Sequence, residues 1–203
     1  MAGEVDKPLY GAILCGGLSS RMGTNKALLS MRPGIRQLDY AAGLLSPRCE
    51  SVLACTGPAS RVQPVLPAGV TPVIDPARAV GPMAGVIAAL EHAAGYGVLV
   101  LACDMPWVDE RVLDRLLAAR DPGQWITAFV AGDGEPEPMC AIYEPAALGA
   151  LNLSAVNGQM GLRQFMKQAQ VALLELAQPG LLASVNDLYE LQAAHDDFAD
   201  RGE

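Results

Sequence analysis

The stretch Leu14–Leu29, LCGGLSSRMGTNKALL, sets Gly16 and Gly17 ahead of Ser19, Arg21 and Lys26, directly after a short apolar run. Adjacent glycines let backbone N–H groups approach an anion with no Cβ in the way. Ser19 and Ser20 add hydroxyl donors, Arg21 a planar fork for phosphate oxygens, and Lys26 a mobile point charge. A structural turn needs one glycine and no cations, so these residue types point to a loop that wraps a polyphosphate. Two familiar phosphate loops do not fit. The dinucleotide fingerprint needs G-x-G-x-x-G, whereas Gly16 and Gly17 are adjacent and no third glycine falls in register. The Walker loop needs four residues between its glycines and Ser or Thr after its lysine, whereas five separate Gly17 from Gly23 and Ala27 follows Lys26.

A second chemical candidate is Asp104, which follows the most apolar run of the chain, Val98–Cys103, and precedes Met105-Pro106. A carboxylate at a strand's carboxyl end, opposite a phosphate loop, is where Mg²⁺ would bridge protein to polyphosphate, and Mn²⁺ could take the same place. The alternative is a helix cap, a role that Asp109 could fill as well. Asp75, after the run TPVI, either reaches a ligand or forms the turn before Pro76. Gly81-Pro82-Met83-Ala84-Gly85 opens a helix, with proline in its first turn.

These residues need a frame, and short apolar runs alternate with amphipathic ones. Leu9–Leu14, Ser51–Ala54, Thr71–Ile74 and Gly97–Ala102 read as strands, as do Trp125–Ala131 and Pro138–Tyr143. Gln37–Leu45, Met83–Ala94 and Asp109–Ala119 read as helices, the last capped by Asp109. Strand and helix in alternation imply a mostly parallel sheet covered on both faces. The expected fold is therefore α/β, a single-domain Rossmann-like three-layer sandwich. Ligands then bind at the carboxyl ends of the strands, where the glycine loop, Asp75 and Asp104 all lie.

Composition narrows the function. The chain has 203 residues, 51% of them hydrophobic, and a formal charge of −8. That suits one globular domain and disfavours a nucleic-acid surface. The first ten residues carry no apolar leader, and Val98–Cys103 is far too short to span a bilayer. A cytoplasmic protein is expected, without membrane or nucleic-acid partners. The five cysteines contain no C-x-x-C pair and read as reduced small hydrophobes. His92 and His195 read as packing or surface residues. The acidic tail from about residue 194 to 203 is expected to be frayed.

The loop resembles the signature L-A-G-G-x-S-x-R-M-G-x-D-K-A-L-L of the molybdenum cofactor guanylyltransferase (MobA) family. Further pieces follow in the same order. Gly81–Gly85 is similar to G-P-L-A-G, Cys103–Pro106 to C-D-M-P, and Pro138–Tyr143 to P-x-x-A-L-Y. Ser184–Leu191 is similar to a degraded N-x-N-T-P-E-E-L. The resemblance implies a fold of the nucleotide-diphospho-sugar transferase type and transfer of GMP from GTP to the phosphate of a molybdopterin-type acceptor. It implies Arg21, Lys26 and Asp104 as catalytic residues, with Asp104 carrying the metal. It extends nucleotide contact to Leu14, Cys15, Gly16, Gly17, Ser19, Asp75, Gly81, Pro82 and Gly85, and acceptor contact to Ser184 and Asn186. Partners implied are GTP, a pterin-type phosphate and, transiently, cofactor-delivery or molybdoenzyme proteins, around a monomer or weak oligomer. Asn25 departs from the family's aspartate, and Ser184, Asp187, Leu188 and Tyr189 depart from its C-terminal motif. CTP, a sugar phosphate or another acceptor, and a catalytically weak nucleotide binder stay open as alternatives.

Overall fold

The computed structural model describes residues 8–15, 26–57 and 65–201. Seven strands form one sheet: β1 (Leu9–Leu14), β2 (Ser51–Thr56), β3 (Val70–Ile74), β4 (Gly97–Ala102), β5 (Ile126–Val130), β6 (Pro136–Tyr143) and β7 (Val171–Leu174). Their spatial order is β3-β2-β1-β4-β6-β5-β7, and only β6 runs antiparallel to its neighbours. Its direction is set by a short hairpin. Asp133-Gly134 turns the chain between β5 and β6, with Gly134 at φ 80°, and a connection that short can only join antiparallel strands.

Helices cover both faces. α1 (Gln37–Leu45) and α3 (Glu110–Ala118) pack on one side. α2 (Pro82–Ala93), α4 (Ala147–Val156) and α5 (Leu162–Met166) pack on the other. β4 is buried along its whole length, as its unbroken apolar run requires. Strand order reverses between β1 and β4, so their carboxyl ends open the crevice where such sheets bind ligands.

The expected frayed tail is corrected by α6 (Leu188–Arg201), a helix to Arg201. Ala194 and Phe198, four residues apart on one face, are fully buried with Met31 and Val185 in a small third core. Phe198 also stacks on Trp107. Between them Asp196 is exposed, while Asp197 is half-buried and accepts the Trp107 indole N–H, so the tail's charge conceals an anchor.

The five cysteines are free thiols, four of them buried. Burial pushes the Cys49 thiol up to about 12, which keeps it protonated and inert. Among the described residues no helix is long and apolar enough to cross a membrane.

Candidate active site

Three adjacent strand ends form the floor of the site. The Cys15 N–H donates to the Cys55 carbonyl at 3.0 Å, and the Cys103 N–H to the Leu14 carbonyl at 3.3 Å. Leu14 and Cys15 are buried, so what they could offer a ligand is backbone. Gly16, Gly17, Ser19 and Arg21 lie outside the described residues. Lys26 opens a 3₁₀ turn, Lys26–Leu28; its side chain lies outside the described part. The floor therefore places Cys15, where the glycine loop begins.

Asp104 stands half-buried just past the end of β4. It is not the cap of α3. That role belongs to Asp109, whose Oδ1 accepts the Val112 N–H at 3.0 Å. The Asp104 carbonyl accepts the Val185 N–H at 2.8 Å, and this bond brings Ser184 and Asn186 to the same strand end. The altered residue Asp187 finds a local use, its Oδ1 accepting the Glu190 N–H at 2.9 Å and capping α6.

Glu137 gave no signal in the sequence, where it reads as one more acid in the polar stretch GDGEPEP. At the start of β6 it is 6% exposed. Burial raises its pKa, opposed by the Met139 N–H and by Arg163, while the charge of Asp104 adds to the rise. The β4–β6 register explains that influence: Leu101 pairs with Cys140, so the two strands carry Asp104 and Glu137 toward the same end. Hard carboxylate oxygens suit Mg²⁺, which takes one or two carboxylates and completes its shell with water and phosphate oxygens. Among the described residues no three His, Cys, Asp or Glu gather as a metal cage. The donor set thus fits a metal shared with a polyphosphate and does not fit a structural zinc.

The most unusual corner lies at the ends of β2 and β3. Asp75 is 9% exposed, and its Oδ1 has no hydrogen-bond partner among the described residues; the Thr56 hydroxyl beside it has none either. The two are fixed to each other by the backbone, the Asp75 N–H donating to the Thr56 carbonyl at 3.1 Å. Burial pushes the Asp75 carboxyl up to about 6. A buried carboxylate oxygen without a donor costs free energy in the empty protein. Such a group marks a site that waits for donors.

Helix α2 closes this corner. Gly81 precedes it with φ 65° and ψ −156°, a conformation that favours glycine, and Pro82 takes the first turn. Both are exposed. Gly85 is buried: a Cβ there would lie 2.8 Å from Leu14 Cδ2, 3.3 Å from Cys55 Cβ and 3.7 Å from Asp75 Oδ1. Its missing side chain lets the helix press onto β1 and β2 and holds Asp75 at the rim. His92 packs edge-on against Tyr10, and the His195 ring nitrogen contacts the Ser30 carbonyl, both away from this corner.

A family model described as the MobA-like NTP transferase domain matches residues 11–173. A probable molybdenum cofactor guanylyltransferase of Rhodopirellula baltica is 34% identical over 71% of this chain and 72% of its own length. A molybdenum cofactor biosynthesis bifunctional protein of Synechocystis is 33% identical over 89% of this chain, which spans 51% of that longer protein. Among solved structures, molybdopterin-guanine dinucleotide biosynthesis protein A of Archaeoglobus fulgidus superposes with a TM-score of 0.76 at 22% identity, covering 95% of this chain and 100% of that one.

Proposed function

From its membership of the MobA-like NTP transferase family, to which this chain belongs, and from the corner at Asp75, we propose that it is a guanylyltransferase that moves GMP from GTP to the phosphate of a molybdopterin-type acceptor. The observation that carries the choice of base is the partnerless Asp75 Oδ1. Guanine presents two parallel donors on one edge, N1–H and the N2 amino group, and a carboxylate accepts both. Cytosine and adenine present one donor beside an acceptor there, and that acceptor would face the carboxylate's lone pairs. The Thr56 hydroxyl, also without a partner among the described residues, is a second group available to the base.

The reaction forms a bond from an acceptor phosphate oxygen to the α-phosphorus of GTP. The bond from that phosphorus to the bridging oxygen breaks, and its electron pair leaves with pyrophosphate. The acceptor oxygen is already ionised at neutral pH, so no general base is needed. The protein's task is positioning and charge compensation. On this reading the charges of Arg21 and Lys26 serve to hold the triphosphate, and Gly16 and Gly17 to give it access to backbone N–H groups. Asp104, with Glu137 behind it, would hold Mg²⁺, which when bound supplies positive charge for the phosphate oxygens. Ser184 and Asn186 are assigned to the acceptor, and the bond of their segment to the Asp104 carbonyl supports that assignment.

The test is a nucleotide and acceptor screen read by pyrophosphate release. GTP with Mg²⁺ raises the melting temperature and CTP does not, and release requires a pterin phosphate. Lys26→Ala and Asp104→Ala lower turnover by about three orders of magnitude with the fold intact by circular dichroism. Release with CTP in place of GTP, or with a sugar phosphate in place of the pterin, overturns the assignment.

A further inference from the structure

On the face of the sheet that carries α1 and α3, away from α2 and Asp75, lies an open cavity of about 500 Å³. Among the described residues, four arginines line it, Arg32, Arg111, Arg115 and Arg201, with Asp109 as the one acidic residue of the lining. The whole chain has 14 Lys and Arg and a charge of −8, so this is a marked local reversal of sign.

Among the described residues, acids meet part of this charge, and each is shared with another donor or bonded elsewhere. One Asp109 oxygen is taken by the cap of α3, and the other sits 3.2 Å from Arg111. Asp197 on α6 accepts the Trp107 indole N–H at 2.7 Å and pairs with Arg201 at 2.8 Å. Asp114, on α3 itself, is bonded to Arg48. Glu175 contributes only its backbone carbonyl, to Arg115. A guanidinium has five N–H donors in a fixed fork. Arg111, Arg115 and Arg201 each use a small share of theirs on these contacts. Arg32 is held rigidly, its guanidinium 4.2 Å from the centre of the Tyr40 ring and 4.3 Å from that of Phe198.

With more arginines than acids around one cavity, a further anion entering it is attracted. Arginine forks match carboxylate and phosphate groups bidentately. The volume lies in the range of small-molecule sites and is far larger than a lone phosphate ion needs. We propose that this cavity is a second ligand site, which takes a small metabolite carrying two or more phosphate or carboxylate groups. The site is built on α3, α6 and the segment after β7, and it does not include the nucleotide corner. It adjoins the turn that carries Asp104: Trp107 follows Asp104 by three positions, and Arg32 Nε donates to the Pro106 carbonyl at 3.1 Å.

The experiment titrates the full chain with fructose 1,6-bisphosphate and, separately, with citrate. Calorimetry at low ionic strength is the readout, without nucleotide and with saturating GTP. At least one probe binds with 1:1 stoichiometry under both conditions, and the tighter of the two identifies the favoured anionic group. The double variant Arg111→Ala/Arg115→Ala weakens binding by about tenfold or more, and added salt weakens it as well. Arg78→Ala, which removes an exposed arginine on the opposite face, leaves it unchanged. Both substituted arginines of the double variant are exposed, so the fold persists, and circular dichroism checks that. Binding of neither probe, competition with GTP, or binding that survives in the double variant overturns the proposal. GTP binding without probe is the control that keeps this outcome separate from the guanylyltransferase reading.

Discussion

Two carboxylates sit at opposite ends of the sheet, both buried beside a glycine, and they are treated in opposite ways. At the amino end of β4, Glu144 is 3% exposed and bonded bidentately to Arg120, at 2.7 Å and 3.0 Å. Gly97 lies against the pair, and a Cβ there would come within 2.9 Å of both partners. At the carboxyl ends of β2 and β3, Asp75 has Gly85 beside it and an oxygen with no partner among the described residues. The first carboxylate is finished within the fold. The second is left short of donors, which is tolerable only if something else supplies them. The same residue chemistry is thus structural at one end of the sheet and, on the proposed function, available for a ligand at the other.

The comparison is easiest to break at the finished end. Glu144→Ala leaves the Arg120 guanidinium buried without its bidentate partner and costs about 3–5 kcal/mol of stability. Urea denaturation measures the loss, and GTP affinity per folded molecule stays unchanged. A loss below about 1 kcal/mol would mean that the pair is not buried in effect, and the contrast would fail. At the open end the signs reverse. Asp75→Asn removes an ionised group short of donors, so the empty protein gains about 1–2 kcal/mol at pH 7. It also loses about a hundredfold in GTP affinity, because an amide accepts one guanine donor and turns its own N–H₂ toward the other. Inosine triphosphate, which lacks the N2 amino group, sharpens this. Wild type discriminates against it, and the Asn variant does so much less. A destabilised Asn variant with unchanged GTP affinity would place Asp75 in the structural class with Glu144.

The difference between these ends also separates what the sequence could say from what it could not. β1 and β4 were legible because a strand buried on both faces must be apolar throughout, and α3 because Asp109 announces its start. α4 was missed because its residues lack a clean apolar stripe: Leu151 and Ala155 are buried while Leu153 is 64% exposed. β7 has four residues and takes its place in the sheet only through β5. In α6, acids surround the two buried residues and give the appearance of a solvated tail. At the site, the sequence placed Asp75 and Asp104 after two strands, and they stand just past the ends of β3 and β4. The missing partner of Asp75 was invisible, since it depends on which donors other elements bring near. Glu137 was invisible for a related reason: only the antiparallel register of β6 carries it toward Asp104. Gly85 stood out in the motif, yet the contact that demands a glycine in the empty protein is the packing of α2 on Leu14 and Cys55.

The smallest expected effect is the most diagnostic, because it depends on ionisation alone. Burial sets the Asp75 carboxyl at about 6 in the empty protein, above the ordinary value of roughly 4. The folded state therefore favours the proton. Below the unfolded value the carboxyl is neutral in both states and its burial carries no charge penalty. As pH rises from about 4 to about 6 the unfolded chain ionises first, and stability falls across that window. A guanine bound as proposed reverses the preference, since its two donors favour the charged carboxylate. GTP affinity is then nearly flat above pH 7 and declines below about 6, approaching tenfold per pH unit as the proton must be displaced. Both profiles are measured against Asp75→Asn, which carries the same GTP ionisations and no titrating group at this corner. The difference between the two proteins is the signature of Asp75. Glu144→Gln supplies the converse, since a carboxylate already held by Arg120 has no role in the nucleotide profile. A wild-type affinity curve that superimposes on that of Asp75→Asn between pH 5 and 7 would show that the base never meets this carboxylate.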